Sequence, residues 1–278
     1  HASGATGNAT PLNILNVAEQ PEGIAVDAAG NLYVANVLNQ TVVEYSPGAG
    51  ALNGATATPK RTITLAISSD PIAGPSFVAF DSAGTLYVSN YNLGTITEYL
   101  AGNAGSASTV TAPDRTITGV SYPRGLALDT AGNLYVANNY DATESPTFAI
   151  REYAPGAGAA GGGAAATPLR TIAGSNTQLG HPYGITVDMA NNIYVGNLDT
   201  NTVTKYGPGS GTDVAPDATI STGVNQPYAV ALDAAGTLYI SNNGAKSITQ
   251  YAAGATSPGV TIGGDGTGLN GPLGIAIH

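Results

Sequence analysis

The chain has no cysteine and no tryptophan, three phenylalanines, one methionine and only 9% charged residues in 278, against roughly 25% in an ordinary soluble domain. Without cysteine there is no disulfide framework, no thiolate zinc site and no cysteine nucleophile. Positive charge is scarcer still: 8 basic against 18 acidic residues give a formal charge of −10, and Lys60 with Arg61 is the one adjacent basic pair. A phosphate backbone requires a basic stripe, so nucleic acid is not expected as a partner. Apolar runs such as 77–80 and 228–232 fall far short of the roughly 20 residues a membrane helix needs, so no membrane span is expected. No long stretch repeats apolar residues every 3.6 positions, which leaves no amphipathic helix to build on.

What is present is 42% hydrophobic residues with 38 Gly, 17 Pro and 15 Tyr, enough apolar side chain for a core and too few charges for a solvated, unfolded chain. Little Lys and Glu, much Ala, Gly, Thr, Ser and Asn, and His1 as first residue lead us to expect a processed extracellular or cell-surface protein. No cofactor and no metal is expected.

The sequence repeats itself. PEGIAVDAAGNLYVAN from Pro21 returns as PSFVAFDSAGTLYVSN (Pro75), PRGLALDTAGNLYVAN (Pro123), PYGITVDMANNIYVGN (Pro182) and PYAVALDAAGTLYISN (Pro227), with PLGIAIH from Pro272 as a sixth start. Each full copy continues through a third segment ending in Tyr (Tyr45, Tyr99, Tyr153, Tyr206, Tyr251) and a fourth of the RTIT type at Arg61, Arg115, Arg170, Ala218 and Val260. All four segments are short, rich in Val, Ile, Thr and Tyr, and bounded by Gly, Pro, Asn or Asp, which predicts strands. A period of roughly 40 to 50 residues made of four strands predicts an all-β fold, a β-propeller of four-stranded antiparallel blades. Asp27, Asp81, Asp129, Asp188 and Asp233 end the first strands. They are assigned to capping the following turn rather than to a metal or catalytic ring, because Asx-turn chemistry accounts for each copy separately.

The P-x-G-I-A-V-D-x-x-G-N-L-Y-V-A-N…V-x-x-Y pattern resembles the NHL-repeat family of β-propellers, with repeats similar to those of virginiamycin B lyase-type secreted bacterial propellers. The resemblance runs from about residue 11 to the end. It implies six blades, and binding or scaffolding more often than catalysis. Here five complete repeats (21–74, 75–122, 123–181, 182–226, 227–271) stand in one domain, flanked by an orphan outer strand in residues 10–20 and an orphan inner strand in 272–278. The termini are therefore expected to form a split, partial sixth blade. Three explanations stay open: a shortened chain, a five-bladed ring with spare ends, or completion by another molecule through Leu12, Ile14, Leu15, Ile275 and Ile277, which would build an oligomer or filament. The Ala/Gly tracts in 46–60 and 154–170 read as flexible loops that would order only against a neighbour.

Loops joining strands 2 to 3, and strand 4 to the next blade, share one face. Ten tyrosines hold repeated strand positions and are assigned to blade packing. The other five, Tyr91, Tyr122, Tyr140, Tyr183 and Tyr228, fall on that face, with Asp141, Glu144 and the strand-end asparagines Asn36, Asn90, Asn138, Asn197 and Asn242. Tyr with Asn and few charges suits an extracellular protein or a glycan as partner. The sequence shows no G-x-S-x-G, P-loop or H-E-x-x-H motif. An enzyme would have to use Glu22, Arg124, His181, Tyr183 and Tyr228 at the channel mouth, as a lyase or lactone hydrolase. With only His1, His181 and His278 available, a histidine pair is hard to assemble. The leading expectation is a non-catalytic binding or structural module, with catalysis second and a carbohydrate-binding module third.

Overall fold

The computed structural model describes residues 6–17, 20–49, 57–65, 74–101, 109–110, 112–140, 148–160 and 165–277. His1, His278, Asp141 and Glu144 lie outside the described residues, as do parts of both Ala/Gly tracts. Five four-stranded antiparallel sheets form a β-propeller. From the channel outward, blade 1 is Pro21–Val26, Leu32–Asn36, Thr41–Tyr45 and Arg61–Thr64, and blade 2 is Pro75–Phe80, Leu86–Asn90, Thr95–Tyr99 and Arg115–Thr118. Blade 3 is Pro123–Leu128, Leu134–Asn138, Ala149–Tyr153 and Arg170–Ala173. Blade 4 is Pro182–Val187, Ile193–Asn197, Thr202–Tyr206 and Ala218–Ile220, and blade 5 is Pro227–Leu232, Leu238–Asn242, Ser247–Tyr251 and Val260–Gly263. A two-residue strand, Thr109–Val110, adds in parallel to the outer edge of blade 1.

The turns follow the residues that encode them. Asp27 Oδ1 accepts from the N–H groups of Ala29 and Asn31, both at 2.9 Å, and the same pair recurs at Asp129, Asp188 and Asp233. Asn191 takes the left-handed position (φ 62°) where the other copies have Gly, as a short polar side chain can. The second-strand tyrosines donate to the turn aspartate of their own blade (Tyr135 OH to Asp129 Oδ2, 3.2 Å) while packing toward the next blade. The third-strand tyrosines are the buried ties between blades: Tyr206 and Tyr251 are fully buried and donate to Thr177 O and Thr222 O of the preceding blade's exit loop.

A glutamate on the third strand faces an arginine on the fourth in blades 1 to 3, as Glu44–Arg61, Glu98–Arg115 and Glu152–Arg170. In blade 1 Arg61 Nε lies 2.8 Å from Glu44 Oε2 with both side chains 5% exposed, and Arg61 also donates to Tyr33 OH at 3.1 Å. The loop between third and fourth strands reaches back to the outer edge of the preceding blade. Ala159 pairs with Thr116 and Asp213 N–H donates to Ala173 O. The described part of the second Ala/Gly tract thus orders against its own neighbouring blade, not another molecule, because an open strand edge offers it backbone partners.

The first strands approach one another closely around the channel. A Cβ on Gly125 would lie 2.2 Å from Tyr183 O, and one on Gly184 2.6 Å from Ala229 Cα. A Cβ on Gly274 would lie 2.8 Å from Glu22 O, the same relation carried from the C-terminal segment to blade 1, and Leu273 O accepts from Ser241 Oγ of blade 5 at 2.7 Å. At the N-terminus Gly7 bridges Ile262 on the outer edge of blade 5, and Asn8 Oδ1 caps the Gly266 N–H. This repeats Asp213, which bonds to Ala173 O and caps Asn176. Leu15 and Val17 then pack on Val34, Val43 and Tyr45 of blade 1. The described parts of the two terminal segments therefore lie inside and outside the same interval between blades 5 and 1, in one molecule, and among the described residues neither forms a full strand of any of the five sheets.

Candidate functional site

Every first strand carries a register irregularity just after its proline, and such bulges re-aim a side chain. They turn Glu22, Ser76, Arg124, Tyr183 and Tyr228 toward one another, five blades contributing one residue each. Arg124 Nη1 lies 2.6 Å from Glu22 Oε1 and 2.9 Å from Ser76 Oγ. Ser76 Oγ donates to Glu22 Oε2 at 2.9 Å, and Tyr228 OH donates to Glu22 Oε1. The guanidinium sits between two rings, 3.7 Å from the Tyr91 centroid and 4.6 Å from that of Tyr183. Tyr183 and Tyr228 meet at 4.5 Å.

This arrangement spends most of its polar groups on itself, with Arg124 Nε buried and without a hydrogen-bond partner among the described residues. Burial, then the Glu22 carboxylate, hold the Tyr228 hydroxyl far above its usual range. Burial also raises Tyr183. Burial alone would lower Arg124, but Glu22 together with Tyr183, Tyr228 and Tyr91 outweighs it, so the guanidinium is held charged. Neither phenol becomes a base near neutral pH, and Glu22 already accepts from three donors. Among the described residues no three His, Asp or Glu side chains converge as a cation would require. The hollow above the cluster, reaching Gln20, Val37, Tyr91, Asn92 and Leu273, holds about 200 Å³.

His181 stands apart from Glu22. Its Nδ1 lies 3.0 Å from Asp199 Oδ2, and its ring is 5.4 Å from Phe148 and 6.1 Å from Tyr183. It borders a second, larger hollow of about 520 Å³ shared by Tyr91, Tyr122, Asn139, Tyr140 and Phe148. Tyr122 and Tyr140 are 42% and 46% exposed. Tyr91 and Tyr122 lie 5.0 Å apart at 57°, and Tyr122 and Tyr140 5.8 Å apart at 81°. The five face tyrosines therefore divide: Tyr183 and Tyr228 line the channel mouth, Tyr122 and Tyr140 the groove, and Tyr91 both.

The strand-end asparagines do not form a binding face. Asn36, Asn90, Asn138, Asn197 and Asn242 are 0–2% exposed. Asn197 accepts from Gly180 N–H at 3.1 Å and donates to Thr204 Oγ1 at 3.0 Å, and Asn242 does the same with Asn225 and Thr249. In blades 4 and 5 they lock the strand end to the incoming loop. Among the described residues Asn36 and Asn90 leave Oδ1 without a partner, and Asn138 leaves both amide atoms so, its Nδ2 because Ala149 and Arg151 stand where blade 4 has Thr202 and Thr204. Of the terminal residues, Leu12, Ile14 and Ile277 are exposed, whereas Leu15 and Ile275 are packed.

The chain is thus a β-propeller with an ion-pair cluster at its channel mouth and an open aromatic groove beside it. No protein-family profile matches the sequence, and no curated protein is significantly similar to it. Solved structures are similar in fold. A chain of a nidogen/laminin complex aligns with a TM-score of 0.63 at 20% identity, over 93% of this chain and 85% of that one. Virginiamycin B lyase of Staphylococcus aureus aligns at 0.52 and 17%, over 87% and 84%. A streptogramin B lyase aligns at 0.57 and 13%, over 95% and 89%. At these identities the likeness establishes the propeller fold, which binding proteins and lyases share.

Proposed function

We propose that the protein is a non-catalytic binding propeller of the extracellular space, meeting its partner through the aromatic groove of blades 2 to 4. The observation that carries this reading is the contrast between the two hollows. At the channel mouth Glu22, Ser76, Arg124 and Tyr228 are buried or half-buried and bonded to one another, while Tyr122 and Tyr140 stand exposed as a contiguous aromatic surface of the kind that marks interaction sites. One fold neighbour, nidogen, is found in complex with laminin, which supports a protein partner. The composition, poor in Lys and Glu and rich in Ala, Gly, Thr, Ser and Asn, supports an extracellular setting.

The opposing reading is a lyase or lactone hydrolase at Glu22, Arg124, Tyr183 and Tyr228, supported by the lyases among the fold neighbours. Assays with lactones and cyclic peptide lactones separate the two. Turnover lost in Glu22→Gln overturns the binding reading. No turnover, together with peptide or glycan binding that Tyr122→Ala and Tyr140→Ala abolish, upholds it. Self-association rests on a separate observation: Leu12, Ile14 and Ile277 are exposed in one interval whose inner and outer sides are both formed. Light scattering that finds a strict monomer at high concentration removes it.

A further inference from the structure

The groove has a chemistry specific enough to narrow its ligand. Neighbouring rings stand across one another, at 57° and 81° on the Tyr91–Tyr122–Tyr140 flank. A row of coplanar rings offers a flat platform for stacked sugars, whereas crossed rings leave wedge-shaped slots. Asn139, 2% exposed, lines the groove, and its Nδ2 has no hydrogen-bond partner among the described residues. A buried donor left unpaired costs about 1–3 kcal/mol, which a ligand carbonyl recovers. Among the described residues the lining holds no Asp, Glu, Lys or Arg, and its one histidine, His181, is paired with Asp199. The groove therefore matches a neutral ligand rich in acceptors and poor in donors.

The repeat sets the backbone here: Tyr122, His181 and Gln226 all precede repeat prolines in the left-handed region, at φ of 47°, 55° and 46°, where the equivalent Gly271 has 70°. What distinguishes Tyr122 and His181 is the aromatic side chain that each brings to the groove.

We propose that the groove binds a proline-rich peptide in the polyproline II conformation, an inference that rests on the binding reading above. Polyproline II leaves its carbonyls unpaired, proline brings no N–H that the groove would have to satisfy, and pyrrolidine rings fill aromatic slots. The Asn139 amide donates to a ligand carbonyl between two ring-filled slots.

The test is isothermal titration of the full chain with a blocked peptide of repeating Pro-Pro-Ala, in parallel with cellohexaose, chitohexaose and a Gly-Ala peptide. The expected result is saturable binding of the Pro-Pro-Ala peptide below about 1 mM. Affinity should fall at least about ten-fold in Tyr122→Ala, Tyr140→Ala and Asn139→Leu and remain unchanged in Met189→Ala, with circular dichroism confirming folded variants. Tyr140→Ala alters an exposed side chain and keeps the test readable if Asn139→Leu fails to fold. Absence of peptide binding, or binding indifferent to Tyr122→Ala and Tyr140→Ala, overturns the proposal. Oligosaccharide binding lost in those variants, without peptide binding, overturns it while leaving the binding face in place. Silence toward every ligand together with lactone turnover overturns both.

Discussion

Truncating Arg124 while leaving Glu22 should be among the most damaging single changes in the channel. The two side chains are 13% and 9% exposed, and the guanidinium is one of three donors on a carboxylate that Ser76 and Tyr228 also address. Arg124→Met removes the one positive charge that compensates Glu22 and leaves a buried anion, a loss of about 3–5 kcal/mol. Glu22→Met strands the guanidinium between Tyr91 and Tyr183, where the two rings supply part of the lost attraction, so its cost should fall at about 2–4 kcal/mol. The double variant removes both charges and keeps apolar volume. It should be more stable than the sum of the singles predicts, by at least about 2 kcal/mol. Urea unfolding of the four proteins closes the cycle, with the slope against denaturant checked for constancy. Additive single effects of below about 1 kcal/mol each would mean hydrated, independent charges. That result refutes the buried-pair reasoning and returns Glu22 and Arg124 to the pool of groups free to meet a substrate.

Gly125→Ala should cost about 1–3 kcal/mol by overpacking, because its Cβ would meet Tyr183 O at 2.2 Å. Gly211→Ala, with nothing near its Cβ, is the control, and equal melting temperatures would contradict the close approach of the inner strands. Arg61→Ala should cost about 1.5–3 kcal/mol, since it removes the buried partner of Glu44 and leaves Lys60 as the remaining cation on that carboxylate, and Lys60→Ala below about 1 kcal/mol, because the lysine side chain is 49% exposed. Denaturant midpoints rank the two. At Asp27 and Asp188 burial alone would raise the carboxyl. Hydrogen bonds from Asn31 and Ala29, and from Asn192 and Ala190 with the Lys205 charge, outweigh it and hold both below their usual range. Their stabilisation is present above the unfolded value near 3.9 and is lost as pH falls through the lowered folded value. The melting temperature should therefore drop on the acid side of about pH 4, less steeply in an Asp27→Asn, Asp188→Asn variant. Identical slopes would remove these turns as the cause.

What could be read from the sequence was what each repeat decides for itself. Alternating Val, Ile and Tyr between Asp-x-x-Gly turns depends on neighbours within a few residues, so strand ends and turn chemistry followed directly. The asparagine face was misread because exposure at a strand end depends on the opposite strand. Thr204 and Thr249 draw Asn197 and Asn242 inward, and the Asn pattern alone carries no sign of it. The Glu–Arg pairs left a usable trace: both residues appear in blades 1 to 3 and both are replaced in blades 4 and 5, by Lys205 with Ala218 and Gln250 with Val260. Asn139 shares its backbone position with Val37, Leu198 and Asn243, and Phe148 stands where the other blades have Gln40, Gly94, Asn201 and Lys246, but the side chains at both positions vary, so nothing in the repeat marked them. The position after each repeat proline reads Glu, Ser, Arg, Tyr, Tyr and Leu, and the position before it Gln, Gly, Tyr, His, Gln and Gly. The bulge after the proline recurs in all five blades, and the left-handed residue before it recurs at Tyr122, His181, Gln226 and Gly271, while the side chains differ. Geometry that recurs is set by the fold, so side chains that vary on it are free to answer to something else. At the channel mouth they answer to one another, as the 2.6 Å Glu22–Arg124 distance shows. Tyr122 and His181 line an open groove instead, and the proposed peptide is the partner they would answer to.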